Sequence, residues 1–309
     1  MRAIRYEKFG GPEVLKLVEV PDPIPGPGEV VVDVHAASVN PVDWKIRTGA
    51  MERYFKTTFP VIPGRDGAGV VTALGAGVAA WKVGDAVSFI AGHMGQGTYA
   101  EKIALKADRL VAKSAALGFA DAAAYPLAGL TAWMALVATA PVERGTAVLI
   151  HGGAGGVGGI AVQIARHRVA RVVATASAAN ADYVKSLGAE QVVAYDREDF
   201  TRALSGLDLV FDTMGGEVHR RSYGVLKRGG TLVWITAEPV ADLGRDYGVT
   251  VKQAVVRDNP EAFRGLAALV ADGAIVPQVG RVLPLAQAAA AHRLSETTHV
   301  RGKLVLSVR

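Results

Sequence analysis

The sequence contains no cysteine among its 309 residues. Disulfide bonds, thiolate metal sites and cysteine nucleophiles are therefore all excluded. A chain without cysteine suits a reducing compartment. The N-terminal segment also lacks the apolar run that a secretory signal peptide requires. We therefore expect a cytoplasmic protein.

Charged residues are few, at 20% of the sequence, whereas hydrophobic residues make up 50%. That composition supplies enough apolar side chains for buried cores and is not typical of a disordered chain. One uncharged segment, residues 146–165, has the length of a membrane span, but it contains six glycines and His151. We expect its glycine-rich turn to divide it into a strand, a loop and a helix, and we predict no membrane segment.

The sequence also lacks a basic cluster, although its net charge is +5. The 34 lysines and arginines are scattered, and aromatic residues make up only 6% of the chain. Single-stranded nucleic acids are usually bound by basic grooves with interleaved aromatic side chains. Nucleic acid is therefore not the expected partner. The basic balance indicates an ordinary solvated surface, or a local site for a phosphorylated ligand.

The length indicates two domains, at about 150 residues per domain. The first hundred or so residues contain short β-type runs separated by glycine and proline, which predicts a partly open antiparallel barrel or sandwich. From about Ala115 onward, apolar strands alternate with helical stretches, the pattern of a doubly wound parallel sheet. A closing strand, residues 303–308, is expected to return to the first domain. The six strands predicted for the parallel sheet are residues 147–150, 172–175, 191–194, 207–211, 231–235 and 249–256.

A glycine-rich loop follows the first of these six strands. Gly153, Gly155 and Gly158 match the spacing GxGxxG, with Gly156 and Val157 between them, and the loop opens a helical stretch. In this context the first glycine permits a tight turn and the second lets the backbone approach a pyrophosphate, while the third allows helix and strand to pack closely. The N–H groups at the helix end then bind the diphosphate. We therefore predict a dinucleotide site on these five residues.

The end of the second strand indicates which dinucleotide is bound. Sites for NAD usually carry an acidic residue there, which binds the ribose 2′-hydroxyl. This chain has no acid at that strand end before Asp182, whereas Ser177 and Asn180 can donate hydrogen bonds to a 2′-phosphate. The pattern favours NADPH as the cofactor. The alternative for both side chains is a cap on the next helix.

These motifs, and others in the same order, resemble those of the medium-chain dehydrogenase/reductase superfamily, and specifically its zinc-free quinone oxidoreductase branch. The motifs cover nearly the whole chain, at residues 25–29, 38–45, 63–70, 97–101, 127–132, 152–158, 212–216 and 301–303. The resemblance implies a GroES-like β-barrel domain, residues 1–117 and 258–309, with a cleft between it and an inserted NADP-binding Rossmann domain, residues 118–257. It also implies a homodimer.

Two positions depart from the zinc-dependent relatives. Where zinc alcohol dehydrogenases have a cysteine and a histidine as ligands, this chain has Asn40 and Arg65. A neutral amide is a poor zinc ligand, and a guanidinium group cannot lose its proton to become one. We therefore predict no metal. We also expect Arg65 to fill the metal position and to pair with Asp43 or Asp66.

The resemblance further implies a set of site residues by motif position. Asn40 is expected to organise the backbone near the substrate. Lys45 and Tyr54 are expected there as hydrogen-bond donors or, alternatively, as a surface charge and an aromatic cover. Thr131 is expected near the nicotinamide, both in catalysis and in cofactor binding. Further cofactor contacts are implied for Tyr195, Ile235, Thr236 and Lys303.

Without zinc, the chemistry that remains is hydride delivery from NADPH to an electrophilic small molecule. Positioned donors would stabilise the negative charge that develops on the substrate oxygen. The expected activity is that of an NADPH-dependent, metal-independent quinone oxidoreductase. Two alternatives stay open: double-bond reduction of alkenals or enones by the same fold, and RNA binding of the kind associated with zeta-crystallin-like relatives.

Overall fold

The computed structural model describes residues 1–54, 56–92, 96–256 and 259–309. Its strands, numbered in chain order, are β1 (Arg2–Arg5), β2 (Lys16–Glu19), β3 (Glu29–Val39), β4 (Asp66–Leu74), β5 (Ala86–Ile90), β6 (Lys102–Lys106), β7 (Leu110–Ala112), β8 (Ala147–Ile150), β9 (Arg171–Ala176), β10 (Gln191–Ala194), β11 (Leu207–Asp212), β12 (Leu226–Trp234), β13 (Thr250–Gln253), β14 (Val279–Pro284) and β15 (Lys303–Ser307). Its α-helices are α1 (Pro41–Arg47), α2 (Phe119–Ala124), α3 (Pro126–Trp133), α4 (Gly156–His167), α5 (Ala181–Ser186), α6 (Phe200–Ala203), α7 (Gly216–Ser222), α8 (Gly244–Tyr247), α9 (Pro260–Ala271) and α10 (Ala288–Glu296). None of the helices within these described ranges has the length and apolar character that crossing a membrane requires.

The chain divides into two compact units. The antiparallel unit comprises Met1–Leu127, Asp258–Ala271 and Pro277–Arg309, and the parallel unit comprises Ala128–Arg257 and Asp272–Val276. Helix α2, which the sequence placed beyond the first domain boundary at 117/118, lies in the antiparallel unit. It packs on β3 and β4, and the Ser88 hydroxyl donates a 2.9 Å hydrogen bond to the carbonyl of Ala122 in α2. The other expected boundary, 257/258, lies outside the described residues.

The antiparallel unit is built on a sheet with the strand order β14-β15-β3-β4-β5-β7, and β6 also pairs with β3. Strand β15 runs antiparallel to β3, so the end of the chain does return to the first domain as the sequence predicts. Strand β14 runs parallel to β15, a pairing that the sequence did not predict. Side chains alternate between the two faces of a strand, so alternate residues of β3 share one face. That face packs into the core of this unit and fully buries Val30, Val32 and Val34.

The parallel unit contains a six-stranded sheet with the order β10-β9-β8-β11-β12-β13. Its strand pairs are all parallel, which confirms the predicted doubly wound fold. Strands β8 and β10 have the predicted bounds, whereas β13 at the sheet edge is shorter than residues 249–256. The central strands β8 and β11 are almost continuously buried, as helix-covered strands are. The strand order reverses between β8 and β11, and ligands of such sheets bind beyond the carboxyl ends of the strands at that point.

Candidate active site

The glycine-rich loop connects β8 to α4 at this reversal of strand order. A Cβ on Gly158 would lie 2.1 Å from the carbonyl oxygen of Gly152, and a Cβ on Gly153 would lie 2.8 Å from the Cβ of Ala174. Both glycines are therefore required by close packing. Apart from its neighbours along the chain, a Cβ on Gly155 would meet one described atom within 4 Å, the carbonyl oxygen of Gly152 at 3.4 Å, which is an ordinary van der Waals contact. The space beside Gly155 is thus open to a ligand.

The first turn of α4 presents backbone N–H groups at this loop. Gly155 is the N-cap residue, and its position supplies no side-chain cap. The N–H groups of Gly156, Val157 and Gly158 have no acceptor within the helix, because the first turn of a helix leaves them unpaired. The positive end of the helix dipole adds to their attraction for an anion. A dinucleotide diphosphate therefore fits these residues in both shape and charge.

His151 is buried beneath the loop and fixes its first residue. The His151 ring lies 3.1 Å from the Thr175 hydroxyl through Nδ1 and 2.9 Å from the Ser222 hydroxyl through Nε2. Because Ser222 donates its own proton to the carbonyl of Val218, Nε2 of His151 must donate to Ser222, and Nδ1 accepts from Thr175. Thr175 also accepts the N–H of Gly152 at 3.2 Å. Burial lowers the pKa of His151 to about 4, so the ring is neutral at pH 7.

A second loop, after β11, is attached to the first. Thr213 donates a 2.8 Å hydrogen bond from its hydroxyl to the carbonyl of His151. Asp212 accepts two backbone N–H groups of the turn that follows it, at 2.8 and 2.9 Å, and its other oxygen lies 2.8 Å from Nδ1 of His219. Burial raises the pKa of Asp212, but these hydrogen bonds outweigh burial and lower the pKa below its usual value. Sequence reasoning missed the roles of Asp212 and Thr175, although both lie at strand ends beside the glycine loop.

Ser177 and Asn180 lie together beyond the carboxyl end of β9. The Asn180 amide donates a 3.0 Å hydrogen bond to the Ser177 hydroxyl, and neither side chain caps a helix. An acid that the sequence analysis did not consider also lies here, because Asp196 accepts the N–H of Ala178 at 2.8 Å. The strand end therefore offers polar donors to a 2′-phosphate next to one opposing negative charge.

Three more predicted cofactor residues follow strands of the same sheet edge. Tyr195 follows β10 and is 54% exposed. Ile235 follows β12 and donates its N–H to the carbonyl of Asp212 at 3.3 Å, and the next residue, Thr236, is buried. Thr131 is buried within α3. The structure therefore places Tyr195, Ile235 and Thr236 at the edge that carries the glycine loop, and their contacts with a cofactor stay predictions.

Asn40 and Lys303 meet within the antiparallel unit. The amide oxygen of Asn40 accepts a 2.6 Å hydrogen bond from Nζ of Lys303, and its amide nitrogen donates to Asp66 at 2.7 Å. Lys303 also donates to the carbonyl of Val39 at 2.9 Å. Burial lowers the pKa of Lys303 and raises that of Asp66. Lys303 therefore has a protein partner, Asn40, and its contact with a cofactor stays a prediction.

The expected pairing of Arg65 is wrong. Arg65 donates from Nη1 to the carbonyl of Gly92 at 2.7 Å, and within the described ranges it forms no ion pair with Asp43 or Asp66. The carboxylate of Asp66 is already occupied, because Ser38 and Asn40 donate to one oxygen and the N–H of Leu127 donates to the other. The Arg65 charge nevertheless offsets part of the rise that burial causes in the pKa of Asp43.

Lys45 and Tyr54, the other two predicted substrate residues, lie on α1 and in the turn that follows it. Nζ of Lys45 is 5.6 Å from the centroid of the Trp44 ring. Tyr54 is 50% exposed, and the Arg53 guanidinium carbon lies 4.8 Å from its ring centroid. Their roles stay predictions.

Comparisons with known proteins agree with this architecture. Residues 26–115 match the family model described as alcohol dehydrogenase GroES-like domain, and residues 187–306 match the one described as zinc-binding dehydrogenase. The chloroplast envelope quinone oxidoreductase homolog of Arabidopsis thaliana is 33% identical over 322 residues, which cover 99% of this chain and 98% of that protein.

Solved structures are similar over the whole chain. The quinone oxidoreductase from Coxiella burnetii superposes with a TM-score of 0.94 at 39% identity, covering 100% of this chain and 99% of that one. The Escherichia coli quinone oxidoreductase complexed with NADPH has a TM-score of 0.91 at 29% identity, and all of both chains is covered. The protein is therefore an oxidoreductase whose fold takes an NAD(P)-type cofactor. The chain belongs to the medium-chain dehydrogenase/reductase superfamily, in its zinc-free quinone oxidoreductase branch.

Proposed function

We propose that this protein is an NADPH-dependent, metal-independent oxidoreductase that delivers hydride to a quinone. The observation that carries the proposal is the loop between β8 and α4, where Gly153 and Gly158 are required by packing, whereas a Cβ on Gly155 would make only an ordinary contact with the carbonyl oxygen of Gly152. A diphosphate fits there against the first turn of α4. When bound, NADPH supplies the hydride, and the residues of the loop hold its diphosphate.

The preference for NADPH over NADH rests on Ser177 and Asn180. Their polar groups can donate to a 2′-phosphate, and neither is used as a helix cap. The charge of Asp196 opposes that phosphate, because it accepts the N–H of Ala178 beside them. We propose that the donors outweigh Asp196, since hydrogen bonds to a charged phosphate are the stronger kind.

Metal independence rests on the chemistry of the antiparallel unit. The amide oxygen of Asn40 is bound to the Lys303 ammonium, and its amide nitrogen is bound to Asp66. The position that corresponds to the second zinc ligand carries Arg65, a permanent cation. Neither residue offers zinc the anionic or free neutral donor that it needs, so a quinone that requires no Lewis acid suits this site better than an alcohol does.

The experiment is a scan of NADPH and NADH oxidation across quinones and enones, with and without EDTA. We expect quinone-dependent oxidation of NADPH, with a lower KM for NADPH than for NADH and no loss of rate in EDTA. Equal KM values for the two nucleotides would contradict the NADPH preference inferred from Ser177. Loss of activity in EDTA would contradict the metal independence inferred from Arg65. Turnover of enones without turnover of quinones would assign the alternative activity. Gel filtration with light scattering tests the homodimer that the resemblance implies.

A further inference from the structure

His219 is a fully buried histidine on α7, and each of its two ring nitrogens lies beside a polar group. Nδ1 lies 2.8 Å from Oδ2 of Asp212, the last residue of β11. Nε2 lies 3.1 Å from the hydroxyl of Tyr223, directly after α7. All three residues belong to the parallel unit, which also carries the glycine-rich loop. The hydrogen bonds around the ring show how many protons it holds.

The hydroxyl of Tyr223 requires a proton on Nε2. A hydroxyl group has one proton to donate and two lone pairs that accept. Tyr223 donates its proton to the carbonyl of Ala241 at 2.8 Å, and its oxygen accepts the N–H of Leu243 at 3.2 Å. One lone pair of the oxygen remains for the contact with His219. Nε2 therefore donates to Tyr223 and carries a proton.

The carboxylate of Asp212 requires a proton on Nδ1. Its Oδ1 already accepts the N–H groups of Met214 and Gly215, at 2.8 and 2.9 Å. Burial raises the pKa of Asp212, but these bonds and the one with His219 lower it below its usual value. An ionised carboxylate can only accept, so Nδ1 donates to it. With a proton on each nitrogen, His219 is an imidazolium and forms a buried ion pair with Asp212.

This ion pair is attached to the glycine-rich loop by direct contacts. Thr213, the residue after Asp212, donates a 2.8 Å hydrogen bond from its hydroxyl to the carbonyl of His151. A Cβ on Gly152 would lie 2.9 Å from the Thr213 hydroxyl oxygen, so the turn after β11 lies against the loop. Helix α7 also carries Ser222, whose hydroxyl lies 2.9 Å from Nε2 of His151. The helix that carries the imidazolium thus supports the base of the loop.

The net charge of the pair depends on the second proton of His219. With that proton the two charges balance, and without it the pair carries one negative charge. Burial is the main cause of the low pKa of His151, but the charges of Asp212 and His219 also act on it. Because His151 directly precedes Gly152, an unbalanced negative charge here opposes a diphosphate on the loop. The titratable groups around His219 among the described residues are Asp212 of β11, His151 after β8 and Tyr223 after α7, with Asp242 close to Tyr223.

We propose that His219 is a positioning residue of the dinucleotide site that works as an imidazolium, and that loss of its second proton weakens the binding of NADPH. The inference rests on the proposed function and adds a pH dependence to its cofactor site. The proton passes between His219 and solvent, and no bond of the cofactor is made or broken. Coupling between two binding events is reciprocal, so a bound cofactor also strengthens the binding of this proton.

The test is calorimetric titration of NADP⁺, which survives acid, into wild type, His219→Gln and His167→Gln between pH 6 and pH 9. Glutamine is neutral, and its single side-chain nitrogen cannot reach both Asp212 and Tyr223. We expect His219→Gln to bind about tenfold more weakly than wild type at pH 6, a usual size for coupling between sites. The two affinities should converge towards pH 9, because wild type then loses the same charge.

A purely structural role would give the same ratio of affinities at every pH, and that result would overturn the inference. Titration of the 2′-phosphate of the ligand affects all three proteins equally and cancels from the ratio. The control residue, His167, is an exposed histidine at the end of α4. His167→Gln should bind NADP⁺ as wild type does at every pH.

A second measurement uses wild type alone and stays decisive if His219→Gln does not fold. In protein labelled with ¹⁵N-histidine, we expect a proton on both ring nitrogens of His219 at pH 6. His151, the matched buried histidine, should carry a proton on Nε2 alone, because its Nδ1 accepts from Thr175. A bare ring nitrogen on His219 at pH 6 would overturn the inference.

Failure of this inference can be told apart from failure of the proposed function. If wild type binds NADP⁺ and the ratio of affinities to His219→Gln stays constant with pH, the inference is overturned while the proposed function stands. If wild type binds NADP⁺ with the expected pH dependence but reduces no quinone, the inference stands while the proposed function fails. If wild type binds no NADP⁺ at any pH, both are overturned.

Discussion

Replacing Asp43 by Asn should stabilise the protein at alkaline pH. The carboxyl group is 2% exposed, and burial raises its pKa from 3.8 to about 6. The folded state therefore binds the proton more tightly than the unfolded state does. Stability must fall as pH rises through this window, because ionising the buried group costs free energy. The full cost is about two pK units at 1.36 kcal/mol each, or about 3 kcal/mol above pH 7.

An Asn at this position keeps an acceptor for the Asn40 N–H and the Tyr99 hydroxyl but cannot ionise. The free energy of unfolding of Asp43→Asn minus that of wild type should therefore grow with pH. From the two pKa values, the growth between pH 5 and pH 8 is about 1.4 kcal/mol. Urea unfolding at several pH values measures it, and any constant packing change cancels from the comparison. A difference that stays constant or shrinks between pH 5 and pH 8 would refute the reasoning.

Three other substitutions test the packing around the glycine-rich loop and around the buried side chain of Arg47. Gly158→Ala places a Cβ 2.1 Å from a backbone oxygen and should lower the free energy of unfolding by at least about 3 kcal/mol, so an unchanged melting temperature would contradict the role assigned to this glycine. Thr175→Val removes the hydroxyl that forms hydrogen bonds with both His151 and the N–H of Gly152. We expect the free energy of unfolding in urea to fall by about 1–3 kcal/mol and NADPH to bind more weakly. Unchanged NADPH binding would contradict a role of Thr175 in shaping the loop. Glu296→Gln leaves the buried Arg47 charge without its anion and should cost about 2 kcal/mol in the same assay. The matched control, Glu7→Gln in an exposed pair with Arg5, should cost less than about 0.5 kcal/mol, and equal costs would contradict the importance of burial.

The parallel unit could be predicted from the sequence because its signals are local. Continuous apolar runs gave β8 and β10 their correct bounds, and the glycine spacing located the loop before α4. In each case, the residues that form the pattern belong to the predicted element or lie within a few positions of it. Strand β14 went unrecognised, because its alternation is weak and its parallel pairing with β15 depends on the tertiary fold.

The polar interior of the antiparallel unit could not be predicted in the same way. Tyr99 lies 56 residues from Asp43, His292 lies 193 residues from Tyr99, and Arg47 lies 245 residues from His292. No local pattern connects residues so far apart. Arg65 shows the same limit, because motif position located it near two acids but could not show that Asp66 was already occupied by Ser38, Asn40 and Leu127.

The central claim is that the β8–α4 loop binds the diphosphate of NADPH, and equilibrium binding tests it most directly. Titration of NADPH into wild type, Gly155→Ala and Gly224→Ala compares two glycines that can both accept a Cβ within the protein. We expect wild type and Gly224→Ala to bind NADPH equally, and Gly155→Ala to bind at least about tenfold more weakly with an unchanged melting temperature, because the new methyl group occupies the space of the ligand. Equal affinity of all three proteins, or no binding of NADPH to wild type, would contradict the account.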